Sequence, residues 1–173
     1  IDKGLQQHED ELVRKGWSIL ERNQDRIFNL VMDMLSFSKD RLPRLKGADV
    51  NDTVREVCEL LQSRADEQQT QFQVSLSPAI PRALLDADGL HRAVLNVATN
   101  ALDALDGTPG GRIDVSTQFN APHQRIEIAI ADNGPGIPDE ERPNLFNLFV
   151  SGKGAQGTGL GLDIAHRVVV TRH

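Results

Sequence analysis

The sequence predicts an α+β fold, and three observations carry that reading. Helical and strand periodicities both occur, but they do not alternate as strict βαβ units. A proline-free stretch from residue 9 to about residue 40 carries apolar side chains at helical spacing. Two period-two strand patterns precede a glycine-rich C-terminal segment. The length of 173 residues suits one domain with a short appendage. Apolar residues at 39% and charged residues at 25% are enough to build a core and argue against a disordered chain. With 25 acidic and 19 basic side chains the net charge is −6, so the basic footprint of a non-specific nucleic-acid binder is missing. Cys58 is the only cysteine. That excludes an intramolecular disulfide and a cysteine zinc site, and it fits a reducing cytoplasmic setting. No apolar run approaches a membrane span, and the opening Ile1-Asp2-Lys3-Gly4 is not a signal peptide. A start without Met reads as a piece of something longer.

The elements follow in order. Val13, Trp17, Leu20, Ile27, Val31 and Met34 repeat at four-three spacing, and Leu12, Ile19, Phe28, Leu35 and Phe37 add a second apolar face. A doubled face suits a helix packed on more than one partner, so a second copy of the chain is expected to cover it. The alternative is a helix lying on the globular part. Pro43 ends the helix, and Arg41 to Asp49 reads as a linker. A second helix is expected next, with Asn51 or Asp52 as N-cap and Val54, Val57, Leu60 and Leu61 on its buried face. Phe72, Val74 and Leu76 alternate with polar residues, so 71–77 reads as a strand broken by Pro78 and Pro81. A third helix runs from about Asp88 to Leu105, with Leu90, Val94, Leu95, Ala98, Ala101, Leu102 and Leu105 as its core face. The segment 107–111 is a turn. Ile113, Val115 and Thr117, then Ile126, Ile128 and Ile130, alternate with polar residues, which predicts a hairpin of 112–119 with 124–131.

The chemistry-bearing residues lie in the C-terminal half. Asn96 and Asn100 are four apart on the predicted third helix, with Asp103 one turn further along the same face. This is either a solvated polar face or a set of hard oxygen ligands suited to Mg²⁺. Asp132-Asn133-Gly134-Pro135-Gly136-Ile137 follows the last strand. An Asp there can accept a hydrogen bond from an exocyclic amine, and the glycines let backbone approach a flat ligand. The alternative is a plain Gly-Pro turn. Gly152, Gly154, Gly157, Gly159 and Gly161, with Lys153 and Thr158 among them, precede a predicted helix over 162–170. Backbone N–H groups at such a helix start form an anion site. The spacing is not that of a Walker loop.

Taken together and in order, these stretches resemble the GHKL superfamily of ATP-binding domains, specifically the sensor histidine kinases of two-component signalling. Residues 96–104 resemble the N box, 132–137 the G1 box, Leu145 to Phe149 the F box, and Gly157-Thr158-Gly159-Leu160-Gly161-Leu162 the G2 box. The resemblance covers residues 50–170. It extends to Leu30 through Ser38, which look like the end of the second helix of a dimerisation and phosphotransfer hairpin. Domains are therefore expected at 1–42, the partial hairpin, and 43–173, the catalytic domain.

The resemblance implies a two-layer α/β sandwich of the Bergerat ATP-binding type, preceded by a long helical dimerisation segment. It implies ATP and Mg²⁺ as cofactors, with Asn96 and Asn100 as catalytic residues and Asn100 as the metal ligand. Asp132 would bind the adenine amine, and Gly134, Gly136 and Ile137 would shape its pocket and the hinge of a lid. Asp103, Lys153, Gly157, Thr158, Gly159, Leu160 and Gly161 would complete the nucleotide site, and Phe146 and Phe149 would anchor the lid unless they are simply core. The implied activity is transfer of the γ-phosphoryl of Mg·ATP to a histidine, in a cytoplasmic homodimer that signals to a response-regulator receiver domain. Neither nucleic acid nor a membrane segment is expected. A GHKL ATP hydrolase and a non-catalytic nucleotide-dependent dimerisation module are the rival readings. The hydrolases place a Glu base where Asn96 stands.

Two departures accompany the resemblance. His8-Glu9-Asp10 only faintly echoes the acceptor motif, so the acceptor histidine is expected upstream of Ile1. The family closes its sheet with a further hairpin after the G2 helix, whereas this sequence stops at His173, so either it is cut there or that segment is absent. From the doubled apolar face, the intact chain should sediment as a dimer at micromolar concentration. A variant lacking residues 1–40 should remain soluble and sediment as a monomer. A monomeric intact chain would contradict the pairing.

Overall fold

A computed structural model describes residues 11–17, 19–20, 23–24, 43–140 and 142–144. The chain divides into two compact units, Ile1–Arg41 and Leu42–His173. In the first, residues 11–17, 19–20 and 23–24 are helical. Leu12, Trp17, Ile19 and Leu20 are exposed, Trp17 to 58%. The remainder of the expected N-terminal helix, residues 9–10, 18, 21–22 and 25–40, lies outside the described residues.

The second unit begins with β1 (Lys46–Ala48) and α1 (Val50–Glu67), followed by β2 (Gln71–Leu76) and β3 (Ala83–Leu85). Then come α2 (Ala87–Ala104), β4 (Arg112–Asn120) and β5 (Arg125–Asp132). The strands form two sheets. β2, β4 and β5 make a three-stranded sheet in that order, and β1 pairs with β3 in a two-stranded one. β2 runs parallel to β4, while β4 and β5 are antiparallel. A parallel pair needs a long crossover, here supplied by β3, α2 and the turn that follows it.

Both long helices pack through one apolar stripe. On α1 it comprises Val50, Val54, Val57, Cys58, Leu61 and Ala65. On α2 it comprises Ala93, Val94, Ala98, Ala101 and Leu102, continued by Leu105 at the C-cap. The sheet answers with Ile113 and Val115 of central β4, both fully buried. Phe72, Leu76, Ile126, Ile128 and Ile130 close the cluster from the flanking strands. The result is two layers, helices on one face of a mixed sheet, as the resemblance implies.

Four expectations need correction. The N-cap of α1 is Asp49, whose side chain accepts from the N–H of Asn51, 2.8 Å away. Asn51 instead donates through Nδ2 to the carbonyl of Ser77 (2.8 Å) and accepts at Oδ1 from the Thr117 hydroxyl (2.8 Å). Thr117 Oγ1 in turn accepts from the N–H of Ser77. This closed set ties the start of α1 to the end of β2 and to β4. Leu60 is 61% exposed, because it falls off the stripe traced by Val57, Leu61 and Ala65. The expected linker 41–49 contains β1, which pairs with Ala83–Leu85. The hairpin pairs Arg112–Asn120 with Arg125–Asp132: β4 runs one residue further, to Asn120 opposite Arg125 beside the turn, β5 begins and ends one residue later, and a 3₁₀ turn at Ala121–His123 joins the strands. Among the described residues no helix is long and apolar enough to cross a membrane.

Leu102 is fully buried between the helices and the sheet. Leu102→Ala should lower the unfolding free energy by about 2–5 kcal/mol in urea titration. Leu60→Ala, at an exposed position, should stay within about 0.5 kcal/mol of the parent. Equal losses at the two positions would contradict this core.

Candidate functional site

The site is built at the C-terminal end of α2. Because the apolar stripe of that helix turns inward, spacing of four and three places Asn96, Asn100 and Asp103 together on another face. All three are half-buried. Asn96 and Asn100 are separated by about 6 Å along the axis. Their amide oxygens are hard donors of the kind Mg²⁺ accepts. Among the described residues no three His, Cys, Asp or Glu side chains converge. A cation held here would therefore depend on amide oxygen and on oxygens brought by its own ligand.

Asp103 also reaches across to the other helix. Its Oδ1 accepts from Arg64 Nη2 in the last turn of α1. Both side chains are about a third or more exposed, so the pair is worth no more than about 1 kcal/mol. It links the ends of the two helices close to the amide stripe.

Asp132 is the last residue of β5 and pairs in register with Ile113. The ladder thereby fixes its backbone while the carboxylate stays exposed at the sheet's end. Its Oδ1 accepts from the N–H of Gly134 at 2.9 Å, an Asx-type turn. A Cβ on Gly134 would stand 2.7 Å from that same oxygen, and 3.5 Å from both the Ala104 carbonyl and Leu105 Cδ2. The turn after Asp132 is therefore seated against the end of the helix that bears Asn96 and Asn100. Gly136 has φ +75°, a conformation that suits glycine. Ile137 follows with its side chain 46% exposed, and its carbonyl accepts from Arg142 Nε.

One residue of the corner went unrecognised in the sequence. Asn133 donates its N–H to the Arg112 carbonyl (3.1 Å) and accepts at Oδ1 from the Arg112 N–H (2.7 Å). Its Nδ2 donates to the Gly110 carbonyl (3.1 Å). An Asn between a strand-ending Asp and a Gly is a turn former, and that was the available signal. Arg64 carried no signal at all, being one of many helix-surface cations.

The structure thus brings together Asp132, Gly134 and the α2 terminus, with Asn96, Asn100 and Asp103 on that helix. Lys153, Gly157, Thr158, Gly159, Leu160 and Gly161 lie outside the described residues, as do Phe146 and Phe149. An open groove of about 410 Å³ lined by Thr53, Glu56, Asp88, His91 and Arg92 lies instead between α1 and the first turns of α2. Cys58 is no rival nucleophile. Burial first, and the charge of Glu59 second, push its thiol up, which favours the unreactive form.

What the corner can do chemically is accept a hydrogen bond from an amine at Asp132, admit a flat group against Gly134, and offer amide oxygens along α2. Gly134→Ala should leave the melting temperature within about 3 °C of the parent, since the clashing atom is the end of a side chain that can rotate. The displaced carboxylate should lower adenine-nucleotide affinity about tenfold, as the loss of one well-placed hydrogen bond does. Calorimetry that finds unchanged affinity would remove Asp132 from the site.

Residues 85–173 match the family described as "Histidine kinase-, DNA gyrase B-, and HSP90-like ATPase". The sensory histidine kinase/phosphatase NtrB of Vibrio alginolyticus is 33% identical over 150 residues, covering 79% of this chain and 43% of that protein. The signal transduction histidine-protein kinase/phosphatase MprB of Mycolicibacterium vanbaalenii is 37% identical over 150 residues, covering 82% of this chain and 29% of that protein. Among solved structures, full-length ShkA in complex with AMPPNP superimposes with a TM-score of 0.73 at 29% identity, over 90% of this chain and 33% of that one. The chain spans less than half the length of each of these proteins.

Proposed function

This chain belongs to the histidine kinase-, DNA gyrase B- and HSP90-like ATPase family, and from that premise we propose that it is the Mg·ATP-binding catalytic region of a cytoplasmic sensor histidine kinase. The observation that carries the reading is Asp132, held at the end of β5 by Gly134 and seated against the end of the helix bearing Asn96 and Asn100. The relatives named as histidine kinases support it, as does the ATP analogue bound by ShkA.

Each residue then has a task. The Asp132 carboxylate accepts from the exocyclic amine of adenine, and Gly134 lets the ring approach the backbone. Asn100 supplies an amide oxygen to Mg²⁺, which neutralises charge on the triphosphate. Asn96, one turn earlier, orients this end of the ligand. As an amide it cannot take a proton from water, so it favours transfer to a histidine nitrogen over hydrolysis. Catalysis on this scheme is positioning and charge neutralisation. By resemblance, Lys153 and the Gly157–Gly161 segment hold the phosphates. Asp103 acts at the edge of the site, through its pair with Arg64.

The acceptor histidine belongs to the longer protein. The exposed Leu12, Trp17, Ile19 and Leu20 are the start of a face that pairs with a second copy, in the partial hairpin of residues 1–42. The phosphoryl group passes onward to a response-regulator receiver domain.

Calorimetry with ATP and Mg²⁺ tests the site. Asp132→Ala and Asn100→Ala should each lose about 1–3 kcal/mol of binding, roughly tenfold to a hundredfold in affinity. Chelating Mg²⁺ should weaken ATP for the parent and matter little for Asn100→Ala. Incubating a longer protein that includes the acceptor helix with labelled ATP should give an acid-labile phosphoprotein. Tight Mg·ATP binding without any such label would favour the non-catalytic module instead.

A further inference from the structure

We infer that Asn133 is a positioning residue that sets adenine selectivity by holding the Asp132 carboxylate in place. The inference deepens the nucleotide reading proposed above and rests on it.

The register of the hairpin ends at the pair Ile113–Asp132. Asn133 carries the ladder one step further. Its backbone N–H donates to the Arg112 carbonyl (3.1 Å), and its side-chain oxygen takes the Arg112 N–H (2.7 Å). Both main-chain groups of Arg112 are thus paired with one residue. The side-chain amine adds a third bond, to the carbonyl of Gly110 at 3.1 Å. Gly110 has φ +70° and belongs to the turn leading from α2 into β4. Asn133 therefore clamps the start of β4 and that turn to the end of β5.

Asp132 lies between two anchors. The β-ladder holds it from one side and Asn133 from the other, while Gly134 N–H fixes one carboxylate oxygen at 2.9 Å. Removing the Asn133 side chain leaves a single bond beyond the last ladder pair. Strand ends with few such bonds open locally at little cost. Opening here would move Asp132 and its turn together. The core would be spared, because Asn133 is exposed and outside the buried cluster.

A residue acting through Asp132 has a signature that a general loss of structure does not. Purine riboside triphosphate carries the charge and shape of ATP but lacks the exocyclic amine that Asp132 receives. The full chain should prefer ATP over this analogue. Asn133→Ala should weaken ATP roughly tenfold and the analogue less than twofold, collapsing the preference. The melting curve should stay close to the parent. Asn133→Asp, which keeps the oxygen for Arg112 but loses the donor to Gly110, should retain part of the preference. The ratio of the two affinities is insensitive to its added charge, and it supplies the reading if the alanine variant unfolds. An unchanged ATP affinity in Asn133→Ala, or equal losses for both ligands, would overturn the role of Asn133 while leaving the nucleotide site intact. A parent chain that binds ATP without preferring it over the analogue would overturn the assignment of Asp132 itself.

Discussion

The burial of Leu105 is the constraint on which the rest of this unit depends. It is fully buried at the C-cap of α2, where the helix ends and the chain turns toward β4. Its N–H is still paired to the carbonyls of Ala101 and Leu102. On its other side, Cδ2 lies 3.5 Å from where a Gly134 Cβ would stand. One side chain thus fixes where the helix stops, how it sits on the sheet, and where the turn after Asp132 comes to rest. Burying such a side chain stabilises by about 1.5–3 kcal/mol. The polar stripe of Asn96 and Asn100 inherits its direction from this packing. A helix rolled about its axis would expose the apolar residues of α2 and turn the amides away from the corner.

The division between structural and chemical work follows from that. The core gathers on α1, α2 and the inner face of β4. The reactive groups sit at its margin, on the opposite flank of α2 and at the last residue of β5. Asp132 is exposed, and in water a carboxylate gains little from a single amine because both partners are already solvated. On the proposed reading, its value would rise once a flat ring against Gly134 excluded solvent from the contact. Margin placement therefore suits a site whose binding groups gain strength only once the ligand covers them. The Arg64–Asp103 pair adds a polar tie between the two helix ends without placing an uncompensated charge in the core.

What could be read in advance divides along the same physical line. Asn96 and Asn100 were legible because a helix of 3.6 residues per turn converts spacing directly into direction. Asp132 was legible because alternation over Ile126, Ile128 and Ile130 marks the strand and hence its end. β1 and β3 were not, since three residues are too few to display alternation. The parallel pairing of β2 with β4 sets Gln71 beside Arg112 and Leu76 beside Thr117, partners too distant in sequence for any local pattern to encode. The cap of α1 was expected at Asn51 or Asp52, and Asp49 was counted with the linker. Ser77 and Thr117 engage Asn51 and leave Asp49 to cap the helix. Asn133 escaped for a related reason. A single Asn in a Gly-rich turn looks like a turn former, and only the positions of Arg112 and Gly110 reveal that its amide bridges two segments.

A turn can act as a specific site only if something other than its glycines defines it. Asp-x-Gly-x-Gly is permissive by composition: two of its five residues lack a side chain, and Gly136 occupies a conformation that other residues adopt with strain. Such a segment gains close approach to a ligand but loses definition, because glycine gives up the most freedom on ordering. Specificity requires the opposite, a carboxylate held in one place so that a missing amine is felt as a loss. Here the definition comes from the residues around the glycines. The ladder pair with Ile113 holds Asp132 from behind, the Gly134 N–H orients its carboxylate, and the three bonds of Asn133 hold the following residue. Gly134 packs toward the end of α2, Gly136 has open space beside it, and the bonds of Asn133 tie the turn to the sheet. Close approach and a fixed carboxylate can therefore coexist within three residues.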